Sequence, residues 1–349
     1  KRRQEVQKFN QKSKYLKKGL ALSPVKFGIS FTTQLMNQAG ALVHVYKDGS
    51  IYLNHGGTEM GQGLFIKVAQ VVANEFGVKL DQVKVSATST SKVPNTSPTA
   101  ASSGSDLNGM AAKEACIRIK RNLCDFAVQH FGVDVNDVNF EDSNVFLGDK
   151  KMTFKEFISL AFLNRVELFS NGYYKTPKIY YDEAKKQGRP FFYYSYGVCL
   201  SEVIVDCLTG EYKLVAVDIL HDVGASLNPA IDMGQIVGGF IQGMGWLCSE
   251  ELKWDDSGVL LTTGASTYKI PAIGDTPEHF NVKIKPNISN HENTIHKSKA
   301  VGEPPLMLAL SVWLAIKNAI YNEDNNNKTG LDAPASFEKV FFNLNKKFN

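Results

Sequence analysis

The sequence predicts an α+β fold, because its strand-like segments come as hairpins instead of being spaced out by helices. Residues 41–46 (ALVHVY) and 51–55 (IYLNH) alternate around Asp48-Gly49, a turn pair that tolerates positive φ. Residues 191–206 and 211–221 are two long β-rich runs joined by Leu208-Thr209-Gly210-Glu211. Helices are also evident: residues 64–76 (LFIKVAQVVANEF) carry apolar side chains at helical spacing, and Gly77 can end the helix.

The first 19 residues hold Lys1, Arg2, Arg3, Lys8, Lys12, Lys14, Lys17 and Lys18 against the single acid Glu5, and read as the solvated face of a helix. After the first hairpin, HGGTEMGQG (55–63) breaks regular structure before the helix at 64–76. Residues 83–88 (VKVSAT) read as a strand. Residues 89–106, rich in Ser, Thr, Pro and Gly, form a long loop leading to an amphipathic helix near 108–131 that Gly132 stops. A second helix covers 153–168. Residues 171–190 contain Gly172, Pro177, Gly188 and Pro190 and read as irregular, so the chain divides there into lobes at 1–170 and 191–349.

In the second lobe, Asn228 is placed as an N-cap with Pro229 at the first helical position, and the helix continues through the glycine-rich stretch 234–248. Short strands flank Asp255-Asp256-Ser257-Gly258. A long apolar helix runs from Pro304 to about Tyr321. A polar stretch follows Glu323, and LDAPASFEKVFFNL then supplies one short docking helix. GGTEMGQG and GGFIQGMG share a loose pattern, which a common need for close backbone approach explains better than a repeat.

Composition narrows the classes. With 43% apolar and 21% charged residues in 349, the chain is globular, and a net charge of +4 offers no reason for a nucleic-acid partner. No apolar run approaches the roughly 20 residues that cross a bilayer. Cys116, Cys124, Cys199, Cys207 and Cys248 form no CxxC pair, so reduced thiols of a cytoplasmic protein are expected, without an iron–sulfur cluster or structural zinc in this chain. The first residue is Lys1 and no apolar leader follows, so the chain is expected to begin inside a longer polypeptide.

Three segments can carry chemistry. GGTEMGQG places glycines and Gln62 just before a helix, where backbone N–H groups approach a ligand and the amide can both donate and accept. SPTAASSGSDLNG (97–109) also leads into a helix, with hydroxyls from Thr99, Ser102 and Ser103. In KAVGEPPLMLALSVWLAI (299–316), Glu303 sits in an almost uncharged stretch. Pro304 should make it extended, and the apolar helix beyond should leave its carboxylate at a buried helix end, where desolvation and the helix dipole oppose each other.

Together these strings resemble the xanthine dehydrogenase members of the molybdenum hydroxylase family, with ASSGSDLNGMAA (101–112) and HDVGASLNPAIDMGQI (221–236) similar to the bacterial members more than to the animal ones. The resemblance rests on KFGISFT (26–32), HGGTEMGQG (55–63), VPNTSPTAAS (93–102), DVGASLNPAID (222–232), STYKIP (266–271) and KAVGEPPL (299–306), in family order across nearly the whole chain. It implies the C-terminal half of a molybdenum-cofactor-binding domain of two mixed α/β lobes. It implies purine hydroxylation, hypoxanthine to xanthine to urate, with Glu303 as general base. Met60, Gly61 and Gln62 would contact the molybdopterin cofactor. Thr99, Ser102, Ser103 and Gly104 would bind its phosphate and pterin end, and Gln235 would bind from the opposite lobe. Many animal relatives have Ser where this chain has Gly104, so any contact there is through backbone. Phe31 would stack on the purine with Thr32 near its polar edge, while Ala100 and Ala101 leave room for a flat substrate. The metal would be held through the pterin, with no protein ligand.

The same resemblance implies 2Fe-2S, FAD and NAD sites on a partner subunit, an earlier half of the domain outside this chain, and a dimer of heterodimers. Neither nucleic acid nor membrane is an expected partner. An aldehyde oxidase on the same fold is the nearest rival; FGISFT and SPTAAS favour the purine enzyme. A truncated, inactive fragment is the rival from another class. A nucleotide-binding module lacks its GxGxxG or GK[ST].

Overall fold

The computed structural model describes residues 1–321 and 330–345. In chain order its elements are α1 (Arg2–Lys12), β1 (Leu16–Ile29), β2 (Gln38–Val45), β3 (Ile51–His55), α2 (Leu64–Phe76), β4 (Val83–Val85), α3 (Gly104–Phe131), β5 (Val138–Glu141), β6 (Asn144–Leu147), β7 (Lys150–Thr153), α4 (Phe154–Leu163), β8 (Phe169–Lys175), β9 (Tyr180–Asp182), β10 (Gln187–Arg189), β11 (Tyr193–Asp206), β12 (Tyr212–His221), α5 (Pro229–Cys248), β13 (His279–Ile284), α6 (Pro304–Leu308), α7 (Leu310–Ile320) and α8 (Phe337–Leu344).

Two sheets build two cores. The first has the order β4-β3-β2-β8, with β2 antiparallel to β3 and β8, and β3 parallel to β4. Ala39, Ala41, Val43 and Val45 of β2 point inward at every second position, onto Val68, Val72 and Phe76 of α2 and Ala111, Ala115 and Ile119 of α3. A meander, β5-β6-β7, and α4 close the end of this core through Phe140, Leu147, Phe154 and Phe157.

The second sheet has the order β1-β11-β12-β13. β1 pairs with β11 along its whole length, from Leu16 opposite Asp206 to Ile29 opposite Tyr193. Helices α5, α6 and α7 cover one face, burying Val203, Val205, Val217 and Ile219 against Phe240, Leu308, Val312 and Ile316. α5 is capped as anticipated: the Asn228 side chain accepts a hydrogen bond from the Ile231 N–H, and Pro229 occupies the first position. Glycines let α5 touch α6, because a Cβ on Gly243 would overlap the carbonyl oxygen of Leu306.

Several expectations need correction. The basic helix ends at Lys12; Lys14 lies in the bend that follows, and Lys17 and Lys18 belong to β1. Leu16–Ile29, from the expected first lobe, pairs with β11 in the second sheet. Residues 171–190 are not wholly irregular: β8 pairs with β2, and β9 with β10. The α3 helix starts at Gly104 instead of near 108, and α4 ends at Leu163, where Asn164 and a left-handed Arg165 turn the chain. Around 255–258 there is one bridge, Trp254 to Leu260, and no strand. The Pro304 helix divides at Ala309 into α6 and α7. GGFIQGMG lies within α5 whereas GGTEMGQG is a loop, so the two are not a structural repeat. The polar stretch after Glu323 falls largely outside the described residues; α8 follows it as the short helix anticipated.

Among the described residues no helix is long and apolar enough to cross a membrane. All five cysteines are free, and burial pushes the Cys248 thiol up to about 12.

Candidate functional site

Where the two cores meet, a cleft of about 290 Å³ opens between the loop before α2, the start of α3, the start of α5 and the segment leading into α6. Its lining includes Met60, Gln62, Thr99, Ala100, Ala101, Ser102, Gly104, Gln235 and Glu303. Residues singled out across some 240 positions of sequence thus share one wall system. Gly61 lies between two of them, at φ +97°, with nothing within 4 Å of where a Cβ would stand. Ser103, by contrast, is buried, and its hydroxyl donates to the Ala100 carbonyl at 3.1 Å. Phe31 and Thr32 do not line the cleft; they follow β1 in a turn braced by Asn37, whose Oδ1 accepts from Phe31 N–H and whose Nδ2 donates to Phe31 O.

The loops are tied to one another. Thr58 N–H donates to Thr99 Oγ1 at 2.8 Å, joining GGTEMGQG to the SPTAAS loop. Gln62 is already engaged: Oε1 accepts from Met60 N–H at 2.6 Å and Nε2 donates to Thr58 O at 2.8 Å. Its amide thus shapes the loop. Gln235 has no side-chain hydrogen bond among the described residues, and its amide lines the cleft unspent.

Glu303 departs from expectation in two respects. It is exposed at the cleft, not enclosed by the apolar helix that follows. Its backbone is helical (φ −81°, ψ −39°), although a residue before proline favours an extended form. The hydrogen bond from Glu303 N–H to Ser102 Oγ, 2.9 Å, holds it there.

Charged residues that sequence reading missed lie in the cleft wall and just behind it. Lys67, on the buried side of α2, reaches Asp232 in the first turn of α5 at 2.5 Å, and Ser226 Oγ donates to the other oxygen of Asp232. Asp106, in the first turn of α3, accepts a hydrogen bond from Tyr193 OH at 2.6 Å, and that hydroxyl accepts one from Ala300 N–H. Burial pushes the Asp106 carboxyl up to about 7, against the lowering effect of Tyr193 and Lys67. Lys299 pairs with Asp222 at 2.6 Å, both nearly enclosed. A signal for Lys67 existed: it is the one charge in the apolar string LFIKVAQVVA.

The donor set suits a flat polar heterocycle with a phosphate. Among the described residues, the backbone N–H groups of Gly104 and Ser105 at the start of α3 have no hydrogen-bond partner, so the positive end of a 28-residue helix faces the cleft. Lys67 lines the same wall with its charge paired to Asp232, and a Cβ on Gly104 would meet only ordinary contacts with Leu64 and Thr99.

Two mixed sheets meeting at an amide-lined cleft define a cofactor-binding domain. The chain belongs to the molybdopterin cofactor-binding domain family, whose model matches residues 1–277. It is 46% identical over 343 residues to the xanthine dehydrogenase/oxidase of Gallus gallus, covering 97% of this chain and 24% of that protein. It is 48% identical over 329 residues to xanthine dehydrogenase 1 of Arabidopsis thaliana, covering 92% and 23%. The chain thus spans about a quarter of the length of these relatives. Two solved structures share its fold, each with a TM-score of 0.83 over 99% of this chain. A Cu,Mo-CO dehydrogenase is 19% identical, with 43% of its chain covered, and the quinoline 2-oxidoreductase of Pseudomonas putida 86 is 22% identical, with 44% covered.

Proposed function

We propose that this chain supplies the general base and one side of the cofactor cleft to a molybdenum hydroxylase of purines, converting hypoxanthine to xanthine and xanthine to urate. The observation that carries the reading is the Glu303 carboxylate, anchored at the edge of a cleft whose floor offers free amides and Lys67. Gly104 and Ser105 N–H, Thr99 and Lys67 would hold the phosphate end of the cofactor. Met60, Gly61 and Gln235 would face the pterin, with Gln62 and Ser103 shaping the loops that carry them. When bound, the molybdenum cofactor supplies the two-electron oxidation. Glu303 accepts the proton of the attacking oxygen nucleophile as the new C–O bond forms on the ring. Ala100 and Ala101 keep the wall low enough for a planar substrate, and Phe31 and Thr32 would approach the purine from the turn after β1.

Further cofactor contacts and the groups that orient the purine belong, in this reading, to an earlier half of the domain. Electrons pass to 2Fe-2S and FAD centres on a partner subunit and on to NAD, in a cytoplasmic dimer of heterodimers. The isolated chain, reconstituted with cofactor, is then inactive.

The test is xanthine-dependent dye reduction by the native assembly, with an aldehyde run alongside. Fast xanthine turnover with little aldehyde activity supports the proposal. Aldehyde preference overturns the substrate, and a sample without molybdenum favours an inactive fragment. Glu303→Gln should keep molybdenum bound yet lower turnover at least about a hundredfold, the usual scale for a lost general base.

A further inference from the structure

Ser102 and Glu303 grip each other twice. Glu303 N–H donates to Ser102 Oγ at 2.9 Å, and the Ser102 hydroxyl donates its own proton to Glu303 Oε2 at 2.9 Å. A serine hydroxyl has one proton and two lone pairs, so it can make both bonds at once. Oε1 of Glu303 has no hydrogen-bond partner among the described residues. One carboxylate oxygen is therefore committed and the other is free.

The loop is bent to make this possible. Ala101 and Ser102 both stand at φ +53°, the left-handed region that L side chains rarely adopt, and they do so in succession. The bend is held by Ser103, whose N–H and hydroxyl both reach the Ala100 carbonyl, and by Thr99, tied to Thr58. On the other side Gly302 presents no side chain: a Cβ there would stand 3.2 Å from Ser102 Oγ. A strained loop and a bare glycine thus converge on one hydroxyl.

We infer that Ser102 is a positioning residue for Glu303, holding Oε2 so that Oε1 faces the cleft as the proton-accepting atom. This rests on the reading of Glu303 as the base. It differs from the role implied by family resemblance, in which Ser102 contacts the cofactor, and the two roles predict different losses.

The experiment uses the molybdenum-loaded holoenzyme with Ser102→Ala and Ser102→Gly; the glycine variant relieves the left-handed backbone and guards against misfolding. Both should lower kcat about ten- to a hundredfold, the scale of a misplaced reacting group, with KM for xanthine and molybdenum per protein unchanged. Crystals of the variants should show the Glu303 carboxylate in more than one orientation. In a Glu303→Gln background neither substitution should lower kcat further. Molybdenum content falling in step with activity would make Ser102 a cofactor ligand and overturn the inference. So would unchanged kcat, or normal kcat in the glycine variant alone, which would trace the effect to backbone strain. Wild-type turnover by Glu303→Gln itself would overturn the base assignment, and the positioning role with it.

Discussion

Lys67 Nζ lies 2.5 Å from Asp232 Oδ1, an ion pair that joins a helix of the first core to a helix of the second and closes the back of the cleft. Both side chains are nearly enclosed, so an unpaired charge there would keep little access to water. Lys67→Met should therefore cost about 3–5 kcal/mol, the scale for stranding one charge of a buried pair, while Lys67→Met with Asp232→Leu should recover most of that loss. Urea unfolding of the single and double variants checks this; equal losses in both would mean that the pair is not the source.

Gly243 faces the Leu306 carbonyl across the α5–α6 contact, and α6 starts at the residue after Glu303. An added methyl must push α6 away. Gly243→Ala should destabilise by about 1–3 kcal/mol, typical of overpacking, and should lower kcat as Glu303 shifts. Thermal unfolding and steady-state kinetics on one preparation separate the two effects. Full stability and full activity together would show that the helices can part freely.

Asp106 gives a pH signature of known sign. Its folded pKa of about 7 lies above the ordinary 3.8, so between those values the folded protein holds a proton that the unfolded chain releases. Stability from this group is complete below about 4 and is lost as pH rises through 7. Asp106→Asn should flatten that decline, seen as a smaller fall in unfolding midpoint from pH 4 to pH 7.5. An unchanged slope would place the titration elsewhere.

His221 works in the opposite direction. It is fully buried, neither ring nitrogen has a partner, and burial lowers its pKa to about 4, against the pull of Asp222. The unfolded chain takes up a proton near 6.5 that the folded one refuses, so stability falls as pH drops from 6.5 towards 4. His221→Phe should blunt this acid loss in urea titrations at pH 7 and pH 5.

Local signals made much of the fold legible. The hairpin at Asp48-Gly49, α2 with its Gly77 cap, and α5 with Asn228 and Pro229 were all readable, because periodicity and caps act within a few residues. β1 was not: its lysines, Gly19 and Pro24 hide a strand whose partner lies far along the chain. The meander β5-β6-β7 consists of four-residue strands too short to show a period. At the site, the glycine-rich loop, the SPTAAS loop and Glu303 stood out as motifs, and most of their residues do line one cleft. The supports behind them did not, because Lys67 and Asp232 are 165 positions apart and Asp106 and Tyr193 are 87 apart. Burial of Glu303 was misjudged for a related reason: an apolar stretch tells which helix is inside, but not which way its first residue looks.

The pairing of β1 with β11 makes the first core an insertion within the second. The chain leaves the second sheet at Ile29 and rejoins it at Tyr193, opposite where it left, with a hydrogen bond from Phe192 N–H to Ser30 Oγ linking positions 162 apart. The inserted part brings its own ends together, since Gln38 of β2 pairs with Lys175 of β8. Once that core has folded, the long excursion behaves as a short tether, and β1 and β11 meet at little further entropic cost. The cleft, lined from both cores, is complete only when the outer strands close around the inserted centre.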